Sequence, residues 1–256
     1  ITPVAWELNH LQHVHIIPHG PLHQLPFAAL LNADNQPLLS QLQIAYAPSV
    51  SVLLRTLARK AATPAQICLA LGYAGLDNNL PHARAEAQSV ASILGGEYWP
   101  GQPGMRVAFL RSAGHYRYLH LACHGEFNLD DPLDSWLELG PHERLSANDM
   151  LNGPTLSTDL VTLSACRSGL SRVLRGDEPM GLARGFLGAG ARAGGGTFAQ
   201  RQGNLRKDFG SSADEPDRWY PVQSCDMVES WDGRAASLLR REVVAPGRQR
   251  SDPLFR

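Results

Sequence analysis

The hydrophobic positions of this chain form short apolar runs separated by amphipathic stretches. The apolar runs have the length and the Leu, Val, Ile, Thr and Tyr content of buried strands. We predict strands at residues 14–18, 43–47, 66–72, 118–124, 136–139 and 160–166. Between them, the pattern predicts helices at about 51–62, 80–94 and 104–113, and a helix capped near Ser146. Strands that alternate with helices indicate an α/β fold with a mostly parallel sheet covered on both faces.

Two of the helical segments have distinctive side-chain patterns. The helix at 80–94 is amphipathic, and its inner face carries Ala83, Ala87, Val90 and Leu94. A glycine-rich helical segment follows at 176–192. Its glycines at 185, 188 and 190 favour close helix packing and do not form a phosphate-binding motif.

A reactive residue stands where each of two apolar strands ends. The strand at 118–124 ends in His124, and the strand at 160–166 ends in Cys166. The carboxyl edge of a parallel sheet is where ligands bind, so neighbouring strands would bring the two residues together there. A cysteine beside a histidine is the minimum set for nucleophilic catalysis, because imidazolium lowers the thiol pKa from its usual ~8.5 and raises the thiolate fraction.

Several motifs occur together around these residues. They are HLACHGEFNLDDPLDSWLEL, then LSANDM, then LVTLSACRSGLSRVLRGDEPMGLARGFLGAGAR, with HIIPHGPLHQLPFAALL and YAPSVSVLL upstream. In this order and spacing, the chain resembles the CHAT domain family over about 70% of its length, residues 14–192. CHAT domains are related to separases and caspases and are usually attached to tetratricopeptide repeats.

The resemblance implies a caspase-like three-layer sandwich and a cysteine endopeptidase with a protein or peptide substrate, acting in bacterial regulation or defence. It implies a dyad of His124 and Cys166, with the amides of Gly125 and Cys166 forming the oxyanion hole. It also implies a helical-repeat region upstream of residue 1. No cofactor is expected.

Structural readings compete with each of these roles. Cys166 and His124 are also consistent with a buried thiol and a core histidine. Cys123 should point to the opposite face from His124 and pack in the core, because side chains alternate along a strand. His120, on the same face as His124, makes a zinc site with Cys166 conceivable, although a fourth ligand is not obvious, so no metal is expected. Asp177 either caps a helix that starts near Pro179 or acts as an acid for a basic substrate side chain.

The character of the chain changes after Arg192. Residues 193–256 are rich in Arg, Gly, Ser, Asp and Pro and contain no convincing strand or long amphipathic helix. The family pattern requires a further buried strand with a Leu-Trp-x-Val-x-Asp-like motif and a closing helix here, and we expect both to be missing. We therefore divide the chain into a linker or end of a preceding region at 1–13, the CHAT domain at 14–192, and an atypical, disordered tail at 193–256. The tail is either frameshifted or a divergent native segment.

Composition and charge restrict the expected partners and location of the protein. A net charge of −1 gives no overall signature of nucleic-acid binding, so nucleic acid is not an expected partner. The four cysteines form no paired metal spacing and no disulfide framework, which favours a reducing, cytoplasmic location. No apolar run reaches the ~20 residues of a membrane span, and no signal peptide is visible. The chain starts without Met and is expected to be a fragment. Because the last strand is expected to be missing, the alternative function is an inactive or truncated CHAT-like scaffold that only binds partners.

Overall fold

The computed structural model describes residues 8, 10–32, 34–58, 64–165, 172–173 and 179–196. The α-helices are α1 Val50–Ala58, α2 Ala83–Leu94, α3 Met105–Ser112, α4 Ala147–Asn152 and α5 Leu182–Ala189. The strands are β1 His13–Ile16, β2 Gln43–Tyr46, β3 Gln66–Gly72, β4 Glu97–Pro100, β5 Tyr116–Ala122, β6 Gly125–Glu126, β7 Trp136–Gly140, β8 Glu143–Ser146, β9 Leu160–Ser164, β10 Arg172–Val173, β11 Pro179–Met180 and β12 Ala193–Gly196. Short 3-10 helices lie at Gly20–Gln24, Phe27–Ala29, Leu38–Ser40, Ala113–His115 and Pro132–Asp134.

The core of the fold is a sheet of five parallel strands in the order β12-β9-β5-β3-β4. Helix α2 packs on one face of this sheet, and side chains of α3, α4 and α5 pack with its other face. These three layers confirm the predicted α/β fold and fit a caspase-like sandwich.

The two faces differ in side-chain size, and this difference positions α2. On β3, Cys68 and Ala70 face α2, whereas Leu69 and Leu71 face the larger core. A Cβ at Gly72 would lie 2.7 Å from the Ala83 carbonyl oxygen, so α2 approaches this strand more closely than a side chain would allow. The face of α2 that packs on the sheet was predicted correctly: Ala83, Ala87 and Val90 are buried, and Leu94 packs against them.

The larger core supplies most of the apolar burial. It joins the Leu-rich faces of β3 and β5 to Phe109 of α3 and Phe186 of α5, both essentially inaccessible to water. A fully buried side chain of this size contributes roughly 1.5–3 kcal/mol of transfer free energy. This face therefore holds the strands that carry the candidate site in fixed register.

Close packing of α5 on α4 depends on two glycines, as predicted. A Cβ at Gly185 would lie 2.8 Å from the Ala147 carbonyl oxygen, and a Cβ at Gly188 would lie 2.3 Å from Leu151 Cδ2. The third glycine, Gly190, ends the helix with φ +126°, where its amide donates to Phe186 O and Leu187 O, and its role in helix packing stays a prediction.

A small antiparallel sheet, β6-β7-β8, leads from β5 into α4. The predicted cap at Ser146 is confirmed. Its hydroxyl accepts from the Asp149 amide at 3.0 Å, and the Asp149 carboxylate accepts from the Ser146 amide at 2.9 Å. This reciprocal pair is a capping box that fixes where α4 begins.

Some boundaries and elements differ from the prediction. Helix α1 is described only to Ala58, and α2 begins at Ala83, just after Pro81, which favours the first turn of a helix rather than its interior. Strands β4, β6, β8, β10 and β11 were not predicted. The expected helix start near Pro179 was wrong, because Pro179–Met180 forms β11 and α5 begins at Leu182.

The expectation that no strand follows Arg192 was wrong. Residues Ala193–Gly196 form β12, which pairs in parallel with β9 from Ala193↔Leu160 to Gly196↔Leu163. The rest of the predicted tail, from 197 onward, lies outside the described residues, and so does the expectation that the closing helix is missing.

Candidate active site

His124 lies two residues beyond the end of β5, at the carboxyl edge of the central sheet. The backbone on both sides of it is fixed. The Cys123 amide donates to Ser164 O on β9 at 3.2 Å, and the His124 carbonyl accepts from the Glu138 amide on β7 at 2.8 Å. The half-buried imidazole is therefore held between the main sheet and the small antiparallel sheet.

The His124 ring contacts the loop that connects β3 to α2. Its Nε2 is hydrogen-bonded to Asn79 Oδ1. Gly75 of the same loop lies against the ring, because a Cβ there would be 2.9 Å from both Cδ2 and Nε2 of His124. The Cδ2–Nε2 edge of the imidazole thus faces the β3 side of the sheet.

Asn79 was not predicted as a site residue. Its sequence context, LDNNLP, is a polar run a few residues after a buried strand, which alone is typical of any loop. Only the strand order, with β3 beside β5, shows that this loop reaches the histidine.

Cys166 lies outside the described residues, as do Asp177 and the Cys166 part of the predicted oxyanion hole. The strand that leads to Cys166 is described. Strands β5 and β9 are parallel neighbours in a register that pairs Leu121 with Leu163 and Ala122 with Ser164. The sequence positions two residues further along the two strands are 124 and 166.

Gly125 follows His124 and begins β6. It stands opposite Leu137 on β7. Because the Glu138 amide bonds to the His124 carbonyl, Gly125 and Leu137 form a non-hydrogen-bonded pair of the antiparallel ladder. The Gly125 amide is therefore directed away from β7, and no Cβ limits approach to this backbone.

His120 belongs to a different, buried group beneath the α2 face. Its side chain is 4% exposed, its Nδ1 lies 2.8 Å from Thr162 Oγ1, and its Nε2 lies 3.2 Å from Glu86 Oε1. Its Nδ1 is thus hydrogen-bonded to β9, and its Nε2 lies beside a carboxylate of α2. Among the residues that the structure describes, no group of three His, Cys, Asp or Glu side chains could hold a metal ion.

The two described cysteines are buried thiols. Cys123 is fully buried in the larger core, as alternation along β5 predicted. Cys68 is also buried, and burial raises its pKa to about 12, so its thiol remains protonated at neutral pH. Cys68 therefore lacks the thiolate character of a nucleophile.

A comparison with known families identifies the family of this chain. The model of the CHAT domain family matches residues 1–197, about three quarters of the 256-residue chain. The chain belongs to the CHAT domain family. A search of curated proteins finds no significant match. The family is consistent with a caspase-like peptidase module acting on protein substrates. Within the described part of this CHAT domain, no helix is long and apolar enough to cross a membrane.

Proposed function

We propose that this CHAT domain is a cysteine endopeptidase module in which Cys166 is the nucleophile and His124 is its acid–base partner. The observation that carries the proposal is the register of β5 and β9, which pairs Ala122 with Ser164 two residues before the dyad. Adjacent parallel strands are about 4.8 Å apart. If the register continues, the thiol and the imidazole occupy one crevice at the sheet edge.

The proposed reaction begins when His124 takes the proton of the Cys166 thiol. The thiolate attacks the carbonyl carbon of the scissile peptide bond, and the carbonyl electron pair moves to oxygen. His124 then gives its proton to the leaving amine as the C–N bond breaks, which leaves an acyl-thioester on Cys166. Water, deprotonated by His124, attacks the thioester and releases the acid and the thiol.

The amides of Gly125 and Cys166 form the proposed oxyanion hole. The direction of the Gly125 amide, away from β7, supports this assignment for the residue that the structure describes. In other enzymes, loss of one oxyanion-hole donor costs about 2.7–4 kcal/mol of transition-state stabilisation. Asp177 is retained as a proposed acid for a basic substrate side chain.

The wider setting of the module is part of the same proposal. It cleaves a partner protein in bacterial regulation or defence, is attached to an upstream helical-repeat region, and works in the cytoplasm, where its thiol stays reduced. No cofactor takes part in the proposed steps.

The first test of the proposal compares cleavage by the chain and by its Cys166→Ala variant. Both are incubated with a proteome-derived peptide library, and new amino termini are identified by mass spectrometry. We expect cleavage by the wild type only. Equal cleavage by both proteins would refute the proposal.

A second test measures thiol reactivity directly and does not need a substrate. Cys225 is replaced by Ser throughout, because it lies outside the described residues and would add its own signal. Iodoacetamide should label Cys166 at neutral pH in the folded chain, and His124→Ala should suppress this labelling. Unchanged labelling in His124→Ala would exclude the dyad and favour the scaffold function.

A further inference from the structure

We propose that Asn79 is a positioning residue that holds the His124 imidazole in the tautomer whose Nδ1 accepts the Cys166 proton. The inference rests on the proposed function and adds a third member to its site. The contact that carries it is the hydrogen bond between Asn79 Oδ1 and His124 Nε2.

The chemistry of this contact assigns the proton on the ring. An amide oxygen can only accept a hydrogen bond, so His124 Nε2 must donate, and in neutral imidazole the other nitrogen is then an acceptor. Nδ1 is therefore the atom able to act as base. An imidazole with its proton on Nδ1 would have no lone pair for the thiol proton on that side.

The strand order determines which way Nδ1 faces. Strand β5 lies between β3 and β9. Asn79 and Gly75 belong to the loop after β3 and contact the Nε2 side of the ring. The opposite edge, which carries Nδ1, consequently faces the β9 side, and Cys166 follows β9 in the chain.

The loop that carries Asn79 is built to hold it there, although its side chain is exposed. The Asn78 amide donates to Gly75 O at 3.2 Å, and the Leu80 amide donates to Ala74 O at 3.1 Å. Gly75 and Asn78 have φ of +82° and +50°, a conformation that glycine and asparagine tolerate better than other residues. These turns fix the backbone on both sides of Asn79, so little backbone freedom is lost when the hydrogen bond forms.

Helix α2 continues from this loop and is anchored to the strands that carry the site. Glu86, in its first turn, lies 3.2 Å from His120 Nε2 on β5, and His120 Nδ1 in turn contacts Thr162 on β9. This buried chain of contacts connects α2 to β5 and β9. These contacts place the first turn of α2, which follows the Asn79 loop, against the strands that carry the site.

The test measures the tautomer and the reactivity of the thiol separately. The chain is labelled with 15N-histidine, and long-range 1H–15N spectra are recorded at about pH 8.5, where an ordinary imidazole is neutral. His124 is assigned among the ten histidines by comparison with His124→Gln. Iodoacetamide labelling of Cys166 is measured on the same samples in the Cys225→Ser background.

Three variants make the readout specific. Asn79→Ala removes the acceptor and Asn79→Asp keeps it. Asn152→Ala is the control, since Asn152 is an exposed asparagine whose side chain donates hydrogen bonds to Asn148. We expect the Nε2–H tautomer in the wild type, Asn79→Asp and Asn152→Ala. We expect a tautomer mixture and about tenfold slower labelling in Asn79→Ala, since loss of the orienting partner leaves the base in the wrong tautomer part of the time.

The outcomes separate this inference from the proposed function. An Nδ1–H tautomer in the wild type would overturn it, as would an unchanged tautomer in Asn79→Ala, whatever the labelling rate. Failure of Asn79→Asp to restore the rate would also count against it. If Cys166 fails to react in the wild type while the tautomer responds as expected, the dyad is refuted and the orienting contact stands.

Discussion

Substitution of Gly75 by Ala tests the packing around His124 most sharply. The added Cβ would lie 2.7 Å from Asn79 Oδ1 and 2.9 Å from Cδ2 and Nε2 of His124, closer than real Cβ contacts occur. The φ of +82° adds a backbone cost of about 1–2 kcal/mol for any residue with a Cβ. The clash with Asn79 is relieved when that side chain swings away, at the cost of its hydrogen bond to His124, and the clash with the ring is relieved only when the imidazole itself moves.

The expected change in the labelling rate of Cys166 follows from the strength of the hydrogen bond between Asn79 and His124. A net contribution of about 0.5–1.5 kcal/mol to holding the ring corresponds to a two- to twelvefold change in rate. We expect Gly75→Ala to slow iodoacetamide labelling of Cys166 by roughly that factor. Unfolding in urea should show a stability loss of about 1–2 kcal/mol from the backbone conformation.

Gly104→Ala is the matched control. Gly104 has φ +84°, almost the same as Gly75, but a Cβ there would meet nothing within 4 Å. Both variants should lose similar stability, and only Gly75→Ala should change the labelling rate. Equal labelling rates in the two variants would refute the view that Gly75 and Asn79 form a wall against the His124 ring.

Three further predictions concern packing, acid stability and the buried thiols. Gly185→Ala should destabilise the fold by about 1–3 kcal/mol in urea unfolding, because its Cβ would meet Ala147 backbone atoms at 2.8 Å; an unchanged midpoint would show that α5 can move outward. Burial tends to raise the pKa of Asp149, but hydrogen bonds from Arg106 and Ser146 outweigh it and hold that pKa below the ordinary 3.8. The stability that this lowered pKa contributes is present above the ordinary value and is lost as pH falls through the folded-state pKa. Asp149→Asn should therefore flatten the pH dependence of the free energy of unfolding below about pH 4. Parallel pH profiles for the two proteins would contradict this prediction. Cys68 should resist iodoacetamide in the folded chain at pH 8 and react only in denaturant, and rapid native labelling at this position would show that its site opens to water.

The central elements of the fold could be predicted from the sequence because their side chains determine them. Residues 66–72 were predicted as a strand, and β3 has these bounds. The small inner face of α2 and the cap at Ser146 were also predictable, because both depend on residues close together in the chain. The position of His124 just beyond a buried strand follows from the same local pattern.

Other features depend on partners that are distant in sequence. Strand β12 consists of one alanine and three glycines, so no side-chain pattern marks it, and it exists because its backbone pairs with β9. Asn79 gains its role only when β3 lies beside β5, and strand order cannot be read from local residues. The end of α5 at Gly190 depends on a backbone conformation, φ +126°, that the residue pattern alone does not locate.

The central claim is that His124 and Cys166 share one crevice at the carboxyl edge of the sheet. The most direct measurement is the distance between Cys166 Sγ and His124 Nδ1 in a crystal structure of the chain. We predict a separation of about 3–4 Å, the reach of a hydrogen bond that involves sulfur. Sulfur and imidazole on opposite faces of the sheet, or separated by about 10 Å or more, would contradict the account.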